Sequence, residues 1–184
     1  SLTAFDTDGF TLGADAIANA NTSTFASWNW KANGAGVLNE VGDTSSTVSV
    51  NTTSGFSIVK WNGSGGNTTV GHGLGVAPKV ILVKDLSATN DWTCYFSELG
   101  NFARIWLNLA VASQGTSGSP ENNWQQTDPT STVFSLAGTG ETNGGSSSFI
   151  AYCFAEVSGF SKFGSYIGNG NVDGTFVYTG FKPS

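Results

Sequence analysis

Ser148-Phe149-Ile150-Ala151-Tyr152-Cys153-Phe154, followed shortly by Gly159-Phe160-Ser161, is the stretch that decides the fold. Side chains alternate along it with a period of two, the signature of a β-strand that presents two different faces. The same pattern occurs earlier in the chain. Phe25-Ala26-Ser27-Trp28-Asn29-Trp30 matches Phe149–Phe154 at an offset of 124, with aromatics aligned at 25/149, 28/152 and 30/154. Gly9-Phe10-Thr11-Leu12 matches Val133-Phe134-Ser135-Leu136, with Phe10 and Phe134 at that same offset. Gly55-Phe56-Ser57 matches Gly159-Phe160-Ser161 at an offset of 104. From Gly63/Gly168 the offset is 105 and holds through Gly65/Gly170, Gly75/Gly180 and Pro78/Pro183. Self-similarity of this kind marks a repeated structural unit.

One unit reads as a Phe-x-Leu strand, a polar loop, an aromatic strand, GFS with a second aromatic strand, then a glycine turn and G-x-x-P. An apolar strand, Val80-Ile81-Leu82-Val83, follows the first copy. The expected organisation is two related units, 1–84 with an insert at 32–54, and 85–184, or one merged domain. Both units read as incomplete, the first at its start and the second at Ser184. They are expected to belong to a tandem array or to be finished by neighbouring subunits.

Composition agrees. Gly, Ser, Thr and Asn account for 85 of 184 residues, and charged residues for only 11%, against roughly 25% in an average soluble domain. Such a chain is a poor helix former. Glycine, asparagine and serine runs at 62–67, 138–147 and 168–171 supply turns, and about ten to thirteen short strands are expected. Asn101–Val111 is the one helix candidate, though Arg104-Ile105-Trp106-Leu107 is equally strand-like. The fold class is all-β: a β-sandwich, jelly-roll-like, built from two related, incomplete repeat units.

Thr3–Gly13 (TAFDTDGFTLG), Phe25–Gly34 (FASWNWKANG), Thr69–Lys84 (TVGHGLGVAPKVILVK), Pro129–Leu136 (PTSTVFSL) and Ala151–Gly170 (AYCFAEVSGFSKFGSYIGNG) together resemble an uncharacterised repeat domain. That domain recurs in large virion proteins of marine tailed bacteriophages, of tail-fibre or appendage type. In that family the second copy runs on into a further apolar strand, which would follow Ser184 here. The resemblance implies a virion or extracellular structural protein and carries over no chemistry, ligand or cofactor.

Few groups are suited to catalysis. The net charge of −6 disfavours a phosphate-tracking nucleic-acid surface, and no apolar run is long enough for membrane insertion as a helix. His72, the single histidine, sits in Gly71-His72-Gly73-Leu74-Gly75 with Val177 at the equivalent place in the other copy, and is expected to be structural. That glycine run lacks the Lys-Ser/Thr ending of a phosphate-binding loop. Asp6-Thr7-Asp8-Gly9 matches the start of a calcium loop but not its later ligands. No catalytic residue, metal ligand or cofactor is assigned. Cys94 and Cys153 lie in strand-like runs and are expected as buried thiols, with a disulfide possible if those strands pair.

Among the six tryptophans, Trp28, Trp30 and Trp61 occupy repeat strands and are expected in the core. Trp124, in Glu121-Asn122-Asn123-Trp124-Gln125-Gln126, is the candidate ligand-binding residue, within the loop 113–128. The expected function is a non-enzymatic virion structural module of a tail fibre, appendage or capsid-surface decoration, partnering its own copies or other virion proteins through β-pairing. The alternative is an adhesion module whose loops, such as 113–128 and 138–147, bind a host surface glycan or receptor.

Overall fold

The structure is a computed structural model that describes residues 1–115 and 123–183. It contains two compact units, Ser1–Trp30 and Lys31–Ser184. In the first, β1 (Leu2–Phe5) and β2 (Phe10–Leu12) form an antiparallel hairpin with Phe5 opposite Phe10. A single helical turn, α1 (Ala16–Asn19), follows. Asp15 caps it, its Oδ1 accepting from the Ile17 amide at 3.0 Å.

The second unit is an all-β sandwich of unequal layers. Its large sheet is antiparallel and seven-stranded. Its strands in chain order are β3 (Val37–Asn39), β4 (Ser46–Asn51), β5 (Phe56–Asn62), β7 (Val80–Asp85), β8 (Thr93–Phe96), β9 (Ile105–Trp106) and β11 (Ser148–Phe154). In space the order is β3-β4-β5-β11-β7-β8-β9. The facing layer is a two-stranded ribbon of β6 (Thr68–Gly71) and β10 (Val133–Leu136), with Phe134 opposite Val70.

β11 sits at the centre, paired on one side with β5 (Phe149 opposite Trp61, Phe154 opposite Phe56) and on the other with β7 (Cys153 opposite Ile81). The boundary expected at 84/85 therefore runs through one sheet, whose central strand comes from the second copy and both neighbours from the first. The expected alternation accounts for this placement. Phe149, Ala151 and Cys153 point into the main core with Val59, Trp61, Ile81 and Val83, and meet Val70, Phe134 and Leu136 from the ribbon. Trp61 stacks on Phe149 with ring centroids 5.5 Å apart and meets Phe134 edge-on at 5.7 Å. Phe154, Phe56 and Val80 face the opposite side, with Ile58, Leu82, Tyr152 and Phe163 against them.

The repeats extend to the backbone. Gly55 and Gly159 have φ of +66° and +76°, Gly65 and Gly170 +75° and +65°, Gly75 and Gly180 +76° and +80°. Each pair occupies the left-handed region that glycine enters without strain. At Gly55 a side chain would also meet the Ala155 carbonyl oxygen at 2.7 Å. Strand formation is not equally shared. β2 and β10 are equivalent and both are strands, but Phe25–Trp30, equivalent to β11, is not in a strand. The same holds for 160–167, equivalent to β5. Alternation alone does not make a strand, because its backbone groups and apolar face need a neighbouring ladder. The Asn101–Val111 helix candidate resolves as β9, paired with β8.

Two equivalent phenylalanines should then respond differently. Phe149→Ala opens a cavity in the core and should cost about 3–5 kcal/mol. Phe25→Ala, at a side chain 49% exposed, should cost under about 1 kcal/mol. Chemical denaturation of both variants checks this, and equal losses would contradict it.

Candidate functional site

Trp124 lies in the core, 2% exposed. Its indole N–H donates to the Ala103 carbonyl at 3.1 Å, and Tyr95 meets its ring edge-on at 5.6 Å. Gln125 beside it donates to the Thr68 and Leu136 carbonyls, tying this turn to the ends of β6 and β10. The faces that a sugar would need are covered by the protein itself, which corrects the expectation of a ligand-facing ring. A tryptophan in a polar stretch can still be a core anchor when its N–H finds a carbonyl. Residues 116–122 of the expected binding loop 113–128 lie outside the described residues.

Next to Trp124 is a polar cluster that the sequence did not single out. Arg104, the chain's single arginine, donates through Nη1 to Asn123 Oδ1 at 2.6 Å and to Glu141 Oε2 at 2.9 Å. Asn123, 1% exposed, donates onward to Thr139 Oγ1 and Glu141 Oε2. Thr93 Oγ1 also donates to Glu141, and the guanidinium lies 4.8 Å above the Trp106 ring. Every contact here joins loop to loop or loop to sheet. The arrangement is that of a clamp, since its carboxylate is already engaged by three donors. Asn143 plays the same part elsewhere, accepting from the Ser64 amide and donating to Ser64 Oγ and the Gly66 carbonyl.

His72 is fully buried. Its Nδ1 accepts from the Leu74 amide, which leaves Nε2 to carry the proton donated to the Thr130 carbonyl, both at 3.2 Å. Phe134 stacks on the ring at 6.4 Å. Burial holds the imidazole below its ordinary pKa, against the hydrogen bond to Thr130, which raises it. The neutral ring is thus a structural element that closes its own turn.

Cys94 and Cys153 are free and buried. Their strands do not pair. β7 lies between, with Leu82 opposite Cys94 and Ile81 opposite Cys153, so the sulfurs belong to strands two ladder spacings apart, beyond disulfide reach. Burial pushes both thiols up to about 12. Among the described residues no three His, Cys, Asp or Glu side chains come together as a metal site. Asp6, in the calcium-like stretch, accepts from Thr11 Oγ1 across its own hairpin.

Exposed aromatics are the other feature of the surface. Trp61 is in the core as expected, but Trp28 and Trp30 are not, at 77% and 52% exposed. In Ser1–Trp30, Phe5, Ile17, Phe25 and Trp28 are open to solvent. In Lys31–Ser184, Phe160, Tyr166, Ile167, Phe176 and Tyr178 are open. Repeat equivalence to core positions is what had placed the two tryptophans inside. A shallow cleft of about 290 Å³ also lies along β4 and β5, between Leu38, Thr47, Lys60 and Trp61.

The molecule belongs to the class of turn-rich all-β domains, with one seven-stranded antiparallel sheet and smaller sheets. More particularly, the chain matches the model of the domain of unknown function DUF7483 over residues 1–184, and it is a member of that family. Neither a curated protein nor a solved structure matches it.

Two expectations follow from the buried groups. Neither thiol should react with a water-soluble disulfide reagent in the native protein, and both should react on unfolding; rapid native labelling would show an open core. His72 binds a proton more readily in the unfolded chain, near the ordinary value of about 6.5. Its contribution to stability is therefore complete above that pH and lost as pH falls below it, at no more than about 1.4 kcal/mol per pH unit. Denaturation midpoints between pH 5 and 8 should show this slope, and His72→Gln should remove it.

Proposed function

We propose that this domain is a non-enzymatic structural module of a phage virion, in a tail fibre, appendage or capsid-surface decoration, that assembles by β-pairing. The observation that carries the reading is the set of outward aromatics in Phe25–Trp30 and 160–178, in segments equivalent to strands of the core. Large apolar side chains left open in clusters mark surfaces that another protein covers. The sequence resemblance to virion proteins supplies the setting, and with it a virion or extracellular location. Enclosure of His72 and of both thiols, and engagement of Glu141 and Asn123 in loop-to-loop bonds, favour a scaffold over a hydrolase. The low charge fits a module held by burial and ladders, which high salt does not weaken by screening.

The test is assembly. Sedimentation velocity across a hundredfold concentration range should show species larger than one chain, and antibody against the domain should label phage particles at one location. A folded, monodisperse monomer at every concentration, or unlabelled particles, would overturn the reading. Glycan binding at a host surface is the second reading, favoured by the exposure of Trp28, whose flat face suits an apolar sugar face. It predicts a glycan-array signal abolished by Trp28→Ala. Trp124→Ala would empty the core instead and cannot make this distinction.

A further inference from the structure

We infer that Phe25–Trp28 of one copy pairs antiparallel with the strand-equivalent segment ending at Tyr166 of a second copy, in the register that joins β11 to β5. This rests on the self-assembling structural reading above and names its contact. The central ladder of the sandwich supplies the template. There Phe149 lies opposite Trp61 and Ile150 opposite Lys60, and the facing rings stack at 5.5 Å with an interplanar angle of 17°. Phe149 is equivalent to Phe25, and Trp61 to Tyr166 when the offset of 105 is carried two residues upstream of Gly63/Gly168, which matches aromatic to aromatic. Transposed, Phe25 faces Tyr166 and Ala26 faces Ser165.

Three features of the chain support the transposition. Both halves of the ladder are present a second time, complete with their aromatics, and neither half forms a strand here. The turns that flank the 160–167 half have kept the backbone of their counterparts, since Gly159 and Gly170 share the positive φ of Gly55 and Gly65. Phe25 and Trp28 on one segment and Tyr166 on the other are open, while Phe163, which faces Trp28 in this register, packs on Phe154 of its own chain and leaves its outer edge to the partner. Each segment therefore carries the sequence of one side of a ladder, and the other segment carries its complement. A second copy brings that other side, and the contact is heterologous, so it propagates from copy to copy as a fibre does. The surplus residue between GFS and Tyr166, where the offset changes from 104 to 105, calls for a β-bulge in the new ladder.

The test uses Ala26 and Ser165, both small and exposed, with Cys94 and Cys153 buried away from reagents. Facing residues of an antiparallel pair have Cα atoms about 4.5–5.5 Å apart, within disulfide reach. Full-length Ala26→Cys and Ser165→Cys proteins, mixed under mild oxidation, should give a covalent heterodimer. The double variant should give a ladder of covalent oligomers. Ser27→Cys with Ser165→Cys, one residue out of register, should crosslink at least tenfold more slowly. A circularised monomer from the double variant, equal rates in the slipped pair, or no crosslink would overturn the pairing. Wild-type sedimentation separates the two failures. Assembly of the wild type without this crosslink removes this contact alone, whereas a monomer throughout removes the structural reading as well.

Discussion

Two ladders on one strand hold this fold together. β11 is hydrogen-bonded along its length to β5 on one side and along most of it to β7 on the other. Before it docks, β5 and β7 have unpaired inner edges, and the rings of Trp61 and Phe134 have no Phe149 to close over. With it in place, the sheet continues outward to β3 on one flank and β9 on the other. The closure joins residues some 90 positions apart, Phe149 to Trp61 and Ser148 to Asn62. Such a contact must offset a sizeable loop entropy, and three buried core side chains on one strand, with ladder bonds to both neighbours, provide the means.

The loops obey the same logic with polar groups. A chain nearly half glycine, serine, threonine and asparagine has little apolar surface with which to pin its turns, and it uses buried amides instead. Asn143 holds the 62–67 turn, and Asn123 with Arg104 and Glu141 holds the loops around Trp124. The side-chain amides of Asn123 and Asn143 are matched at both ends, so that their desolvation is recovered in hydrogen bonds. Arg104, Glu141 and Asn123 are all engaged in these bonds, and the large side chains left in water are mostly aromatic and aliphatic ones.

That surface and the core are written in the same motif. Phe25 and Phe149, and Phe160 and Phe56, are equivalent in sequence and opposite in exposure, and Trp28 is more open than its half-buried equivalent Tyr152. A ladder half is apolar because it is built to meet its other half, and where that half does not arrive the apolar side chains stay in water. The contrast between the two copies follows from pairing, with no change of residue type needed.

Residues alone determined the all-β class, the strand identity of 148–154, 56–62 and 80–83, the turns at repeated glycines, and the inward placement of Trp61, Cys94 and Cys153. Period-two alternation and left-handed glycine positions are local properties, legible one segment at a time. Only the tertiary structure decided that β11 inserts between β5 and β7, so that the copies share one sheet and the two cysteines stand apart on either side of β7. Only it decided that Trp124 is a core anchor and Trp28 an exposed ring. Burial belongs to a residue's neighbours, and in a sheet those neighbours lie tens of residues away along the chain. A repeat states that two segments can do the same thing; which of them does depends on whether the partner strand is there.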